Sequence, residues 1–175
     1  MTKLVAISGS LHKGSYNTAL LRAALAMAPE GVTITEGSIH GIPLYDADVE
    51  AEAGIPEAVT RLKDLVAAAD GVLLFTPEYN NGIPGVFKNA IDWMSRPSTD
   101  IARVFGGKPF AITGASPGNF GTLLSQDAWL TVLRTLGTLP WFGGRLLVSR
   151  AGSIIQDGRI TDEAMLREYR CCDAV

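Results

Sequence analysis

Short apolar runs alternate along this chain with longer segments in which apolar residues recur every three or four positions. Leu4-Val5-Ala6-Ile7, Val72-Leu73-Leu74-Phe75 and Phe110-Ala111-Ile112-Thr113 are runs of the first kind. Continuous apolar runs, as opposed to alternating ones, mark parallel strands buried on both faces. Val32-Thr33-Ile34-Thr35 and Leu146-Leu147-Val148 read as two further strands. Helical spacing predicts a helix over about 16–28, with Leu21, Leu25 and Ala28 on one stripe and Pro29 and Gly31 as its stop. Ile55, Val59, Leu62 and Val66 form the stripe of a helix opened by Pro56. Pro84 opens another that runs to Met94, and a fourth covers roughly 123–136. Thr161-Asp162-Glu163 predicts the cap and first turn of a last helix, since acids favour a helix N-terminus. The stretch 41–54, with Pro43 and the acids Asp46, Asp48, Glu50 and Glu52, reads as a solvated loop.

Strand–helix alternation of this kind implies a parallel sheet covered by helices on both faces. At 175 residues, with no repeat, low-complexity tract or linker, residues 1–175 read as one domain. Hydrophobic residues make up 47% of the chain, which excludes disorder by composition. The formal net charge of −3 gives no bulk attraction to nucleic acid. Charge is unevenly placed, however: Lys3, Lys13 and Arg22 precede the first acid, Glu30. The first strand–loop–helix segment is thus mildly cationic and suited to a phosphate. Cys171 and Cys172 are adjacent, so a bridge between them would close almost no loop. They read as free thiols of a reducing compartment. The N-terminus lacks a signal-peptide pattern. No apolar run approaches the about 20 residues that span a bilayer, and the expectation is a soluble cytoplasmic protein without membrane insertion.

In open parallel sheets, ligands bind beyond the carboxyl ends of the strands. The loops after strands one, three and four are therefore the informative ones. The first is Ser8-Gly9-Ser10-Leu11-His12-Lys13-Gly14-Ser15-Tyr16-Asn17. It leads into a helix N-terminus, where unpaired N–H groups and the helix dipole favour an anion. Ser10, Ser15 and Asn17 add neutral donors, and His12 and Lys13 add countercharge, which together suit a terminal phosphomonoester. The glycine spacing of Gly9 and Gly14 matches a Walker A loop, but Ser15 stands where that motif needs Lys. Leu11 breaks the GxGxxG dinucleotide pattern, and a phosphatase-type cysteine is missing.

The second loop, Pro77-Glu78-Tyr79-Asn80-Asn81-Gly82, offers an aromatic face and several amides to a flat heteroaromatic ring. The third, Gly114-Ala115-Ser116-Pro117-Gly118-Asn119-Phe120-Gly121, contains a literal G-x-S-x-G, the nucleophile elbow of α/β-hydrolases. That reading fails on chemistry. Pro117 has no N–H for an oxyanion hole, and His12 and His40 both precede Ser116, whereas that fold's triad places its histidine after the serine. The loop reads instead as Gly-rich backbone beside a bound ring. Each loop taken alone also reads as a plain connection rich in turn residues.

Together these stretches, with Lys88-Asn89-Ala90-Ile91-Asp92-Trp93, resemble the NADPH-dependent FMN reductase family, over about Leu4 to Val148. The resemblance implies a flavodoxin-like doubly wound α/β fold, a five-stranded sheet ordered 2-1-3-4-5, with FMN at the switch point between strands one and three. It implies that Ser8, Ser10, His12, Ser15, Tyr16 and Asn17 surround the phosphate. It implies too that Pro77, Glu78, Tyr79 and Asn80 line the isoalloxazine, with Ser116, Gly118 and Gly121 at its other edge. Lys88, Asn89, Asp92 and Trp93 are then packing and subunit-contact residues of a homodimer or homotetramer. Two positions depart from the family: His12 stands where Arg is common, and Gly121-Thr122-Leu123 runs apolar where a second Gly and a basic residue are usual. The activity implied is electron transfer from NADPH or NADH through FMN to a small acceptor such as a quinone or free flavin, by ping-pong turnover. Because the flavin would carry the chemistry, no protein acid, base or nucleophile is required and none is assigned. The alternatives from other classes are a flavodoxin-like electron carrier and a flavin-binding interaction protein without turnover.

Overall fold

The structure is a computed structural model and describes residues 1–162 and 164–166. Five parallel strands form the main sheet: β1 (Thr2–Ser8), β2 (Val32–Gly37), β3 (Gly71–Phe75), β4 (Pro109–Ala115) and β5 (Leu139–Val148). Their order is β2-β1-β3-β4-β5, as the resemblance implied. Register aligns Ile7 with Gly37 on one side and with Leu74 on the other. The strand ends that carry the three loops therefore sit side by side.

Alternation along the strands sorts the core into two layers. Val5, Ile7, Val72, Leu74, Phe110 and Ile112 point to one face. There they meet α3 (Glu57–Ala67), α4 (Gly85–Met94) and α6 (Leu123–Thr135) through Leu62, Val66, Phe87, Ile91 and Trp129. Ala6, Phe75, Ala115 and Val148 point the other way, against Leu20, Leu21 and Ala24 of α1 (Tyr16–Ala26). Leu21 is buried as expected, but Leu20 and Ala24 complete its stripe while Leu25 is only partly buried.

Three segments differ from the sequence expectation. The stretch 41–54 contains a short helix, α2 (Ala47–Ala53), capped by Asp46 Oδ1, which accepts from Asp48 N–H at 2.9 Å. It buries no residue and so has no apolar period to read. It is docked by charge instead: Glu50 pairs with Arg96 Nε at 2.9 Å, which holds its carboxyl below the usual range. Strand β5 begins at Leu139, well before Leu146, because an edge strand tolerates Pro140, and a register shift between Ala111 and Thr113 absorbs the irregularity. Beyond it, α7 (Ala151–Ile154) leads into a hairpin of β6 (Ile155–Gln156) and β7 (Arg159–Ile160). Asp157 and Gly158, with φ of 48° and 73°, form its two-residue turn.

A 3₁₀ turn (Ser98–Asp100) and α5 (Ile101–Val104) precede β4. Buried Lys63 reaches across from α3 to bond Asp100 at 2.7 Å and the Arg96 carbonyl. Lys63 and Arg103 together lower the Asp100 pKa from its ordinary value. Asp162 Oδ1 accepts from Met165 N–H at 2.8 Å, the cap expected at 161–163. Glu163, Tyr169, Cys171 and Cys172 lie outside the described residues. Among the described residues, no helix is long and apolar enough to cross a membrane.

Candidate functional site

The loop after β1 turns at Gly9, where a β-carbon would strike the Phe87 ring at 2.1 Å, so only glycine lets α4 approach this closely. Ser15 caps α1: its Oγ accepts from the N–H groups of Asn17 and Thr18 at 3.2 and 3.4 Å. No acid lies in the first turn. The loop is braced from within. Ser10 Oγ accepts from His12 N–H at 3.2 Å, and His12 Nδ1 accepts from Gly14 N–H at 2.8 Å. His12 is thus a strut of the loop, with Nε2–H as its remaining donor. Among the described residues no hydrogen bond takes up the N–H groups of Leu11, Lys13 or Tyr16. These orphan donors at a helix N-terminus free of acids are the chemistry a phosphate needs.

Asn17 is buried, and its side chain is committed to the chain itself. Its Nδ2 donates to the Ala115 carbonyl and its Oδ1 accepts from Ala115 N–H, each at 2.9 Å. Tyr16 packs beside the second core layer, with its hydroxyl close to Gly152. Ser8 exchanges a 2.9 Å hydrogen bond with Thr18.

After β3 the chain makes a tight hairpin turn. Tyr79 N–H donates to the Gly82 carbonyl at 3.2 Å, and Gly82 N–H donates to the Tyr79 carbonyl at 3.1 Å. Asn80 and Asn81 both have positive φ, 50° and 62°, the left-handed pair of a type I′ turn, which asparagine tolerates. Tyr79 stands half-exposed at its edge, its hydroxyl 3.5 Å from Ser10 Oγ. Pro77 is buried below it. Glu78 turns away toward the neighbouring loop: its Oε2 accepts from Ser125 N–H at 3.0 Å, in the first turn of α6.

The loop after β4 is closed by Ser116 Oγ, which donates to the Gly121 carbonyl at 2.6 Å. Gly121 has φ of 62°, and a β-carbon there would meet the Leu147 backbone at 2.9 Å. From the far side, Arg150 N–H donates to the Gly118 carbonyl and Ala151 N–H to the Ser116 carbonyl. Among the described residues, the N–H groups of Gly118, Asn119 and Phe120 have no partner.

Ser10 and Tyr79 set loop one beside loop two, Glu78 ties loop two to α6, and Asn17 ties α1 to the end of β4. Three residues of this arrangement escaped the sequence reading. Thr76 Oγ1 accepts from Trp129 Nε1 at 3.0 Å, lies 2.9 Å from Ser125 Oγ, and donates to the Pro77 carbonyl. Thr76, Ser125 and Trp129 are all buried, and together they fix the base of loop two. Nothing in one sequence singles out a threonine and a serine 49 positions apart. Of the residues expected in packing and subunit contacts, Lys88 pairs with Asp92 at 2.8 Å on the surface of α4, while Asn89 and Trp93 hold the Pro43 carbonyl at 2.8 and 2.9 Å.

The model of the NADPH-dependent FMN reductase family matches residues 2–152. An NAD(P)H-dependent FMN reductase of Pseudomonas aeruginosa is 44% identical over 162 residues, which cover 92% of this chain and 85% of that protein. A quinone reductase of Escherichia coli is 38% identical, covering 94% of this chain and 87% of its own length. Among solved structures, FerB, a flavoenzyme NAD(P)H:(acceptor) oxidoreductase of Paracoccus denitrificans, superposes with a TM-score of 0.86 at 33% identity. That match covers 99% of this chain and 93% of FerB. With the family model matched over residues 2–152 and relatives of 38–44% identity covering over nine-tenths of it, the chain belongs to the NADPH-dependent FMN reductase family, the NAD(P)H oxidoreductases that work through FMN.

Proposed function

We propose that this protein seats FMN across its three loops and passes electrons from NAD(P)H to small acceptors of the quinone or free-flavin type. The observation that carries this is the line of orphan donors along one sheet edge, from Leu11, Lys13 and Tyr16 to Gly118, Asn119 and Phe120. The phosphate is held by loop-one N–H groups, the hydroxyls of Ser10 and Ser15, and the helix dipole. Tyr79 flanks the ring system, Asn80 supplies amide contacts, and the backbone from Ser116 to Gly121 meets the ring's other edge. Glu78, Asn17 and His12 act on the shape of the loops. Bound FMN would supply the two-electron redox chemistry between NAD(P)H and an acceptor, and the protein would supply a single place over the ring for both. Loop-three N–H groups stabilise negative charge that develops on the ring, without a titrating side chain.

A homodimer or homotetramer is part of the same reading, and Leu44, Phe120 and Phe142 are exposed apolar side chains that such a contact would cover. Steady-state kinetics test the turnover order. NADPH varied at several fixed concentrations of a benzoquinone gives parallel double-reciprocal lines if donor and acceptor share one place. Intersecting lines contradict it.

A further inference from the structure

His12 is engaged three times within loop one. Its N–H donates to Ser10 Oγ at 3.2 Å, its carbonyl accepts from Ser15 N–H at 3.1 Å, and its Nδ1 accepts from Gly14 N–H at 2.8 Å. The ring lies against Gly14, where a β-carbon would come within 3.1 Å of His12 Cε1. Turning the ring over would set Cδ2–H against the Gly14 N–H, so Nδ1 is the acceptor. An imidazole nitrogen accepts only while it carries no proton. The N–H groups of His12 and Gly14 are therefore tied inside the loop. Those of Leu11 and Lys13, which alternate with them, are left without a partner among the described residues.

We propose that His12 is a positioning residue whose neutral ring holds loop one in its phosphate-binding shape, so that acid weakens flavin binding through this one side chain. The inference rests on the FMN reading, which gives the free N–H groups of loop one to the flavin phosphate. In Asx turns Asn or Asp plays the same part, its side-chain oxygen accepting from the N–H two residues on. Histidine differs in that it changes charge between pH 5 and 8. A proton on Nδ1 sets two donors face to face and breaks the bond to Gly14. The same proton also adds a positive charge, which attracts a phosphate. The charged and titratable groups around the ring are Lys13 of its own loop, Arg22 of α1, Glu36 of β2 and His40 beyond it. His12 is exposed, so one more charge there acts through water and is screened. Misplaced N–H donors lose charge-assisted hydrogen bonds, which are stronger and depend steeply on geometry. The change of loop shape therefore outweighs the added charge.

The experiment measures the FMN Kd by quenching of flavin fluorescence, from about pH 8 to about pH 5.5, for the wild type, His12→Asn and His12→Ala. Asn keeps an acceptor for Gly14 N–H and does not titrate, whereas Ala has none. The phosphate's own proton, taken up near about pH 6, and the titration of His40 are common to all three, so their ratios isolate His12. At the alkaline end the Asn variant is expected within about threefold of wild type and the Ala variant about tenfold weaker. On acidification the wild type is expected to lose about tenfold more affinity than the Asn variant. A ratio of the two that stays constant with pH overturns the proposal. So does a wild type that tightens in acid relative to Asn, because the ring is then a counter-charge. An Asn variant as weak as Ala at the alkaline end overturns it too. In the flavin-free protein the Gly14 amide resonance is expected to shift as the His12 ring titrates, and an amide that ignores the ring overturns the proposal. A protein that takes up no FMN at all defeats the underlying functional reading instead, and the Gly14 resonance still tests the role of His12.

Discussion

Asn17 and Ala115 are 98 positions apart and are joined by two hydrogen bonds of 2.9 Å, one in each direction between a side-chain amide and a single residue's backbone. The pair is buried and staples the first turn of α1 to the end of β4, so loops one and three are held at a fixed separation. Asn17→Ala leaves both backbone groups of Ala115 unsatisfied in the interior. The expected cost is about 3 kcal/mol, read as a lowered urea midpoint at unchanged m. Asn17→Asp keeps the acceptor and loses the donor, which sets a carboxylate against a carbonyl, and is destabilised as well. If both variants match the wild type, the staple carries no weight.

Glu78 separates two roles that the sequence merges. Its carboxylate caps the first turn of α6 through Ser125 N–H, so its main effect is on the loop geometry. Glu78→Ala is expected to lose about 1 kcal/mol of stability, the usual worth of a helix cap, and to weaken FMN binding severalfold. Glu78→Gln retains an acceptor oxygen and recovers most of both. Urea denaturation paired with quenching of flavin fluorescence checks this; a Gln variant as weak as Ala would show that the charge itself matters.

Tyr79 offers a face and a hydroxyl. The 3.5 Å separation from Ser10 is long for a hydrogen bond, so Tyr79→Phe is expected to bind FMN within about twofold of wild type. Tyr79→Ala removes the aromatic surface and is expected to weaken binding about tenfold. The same fluorescence titration reads both.

Acid sensitivity should concentrate at the segment before β4. Lys63 and Arg103 depress the Asp100 pKa, so the unfolded chain binds this proton more readily than the folded one. The resulting stability is fully present above the ordinary aspartate pKa, about 3.9, and is lost as pH falls through the lower folded value. Glu50 follows the same sign through Arg96. Asp100→Asn is therefore expected to lower Tm at pH 7, by a margin that narrows toward pH 3. A margin that widens in acid contradicts this account.

The sheet was legible because buried parallel strands are apolar without interruption, as at Val72 to Phe75, and because Pro56 and Pro84 mark helix starts. The three loops were legible because Gly, Ser and Asn cluster where strands end. The helix at Ala47–Ala53 was not, since a helix that buries nothing leaves no periodic signature. Nor was the start of β5, where Pro140 and Gly143 mask an edge strand. The residues that set the loops' shape were hidden for a different reason. Asn17, Glu78 and His12 look like ligands in sequence, yet their side chains are engaged with Ala115, Ser125 and Gly14, a choice that only long-range packing or loop closure decides.

The anaerobic visible spectrum is the most direct test of the central claim. Purified protein, loaded with FMN if isolated without it, should show flavin absorption that bleaches when NADPH is added and returns when a quinone follows. A protein that takes up no FMN, or a bound flavin that NADPH leaves oxidised, contradicts the account.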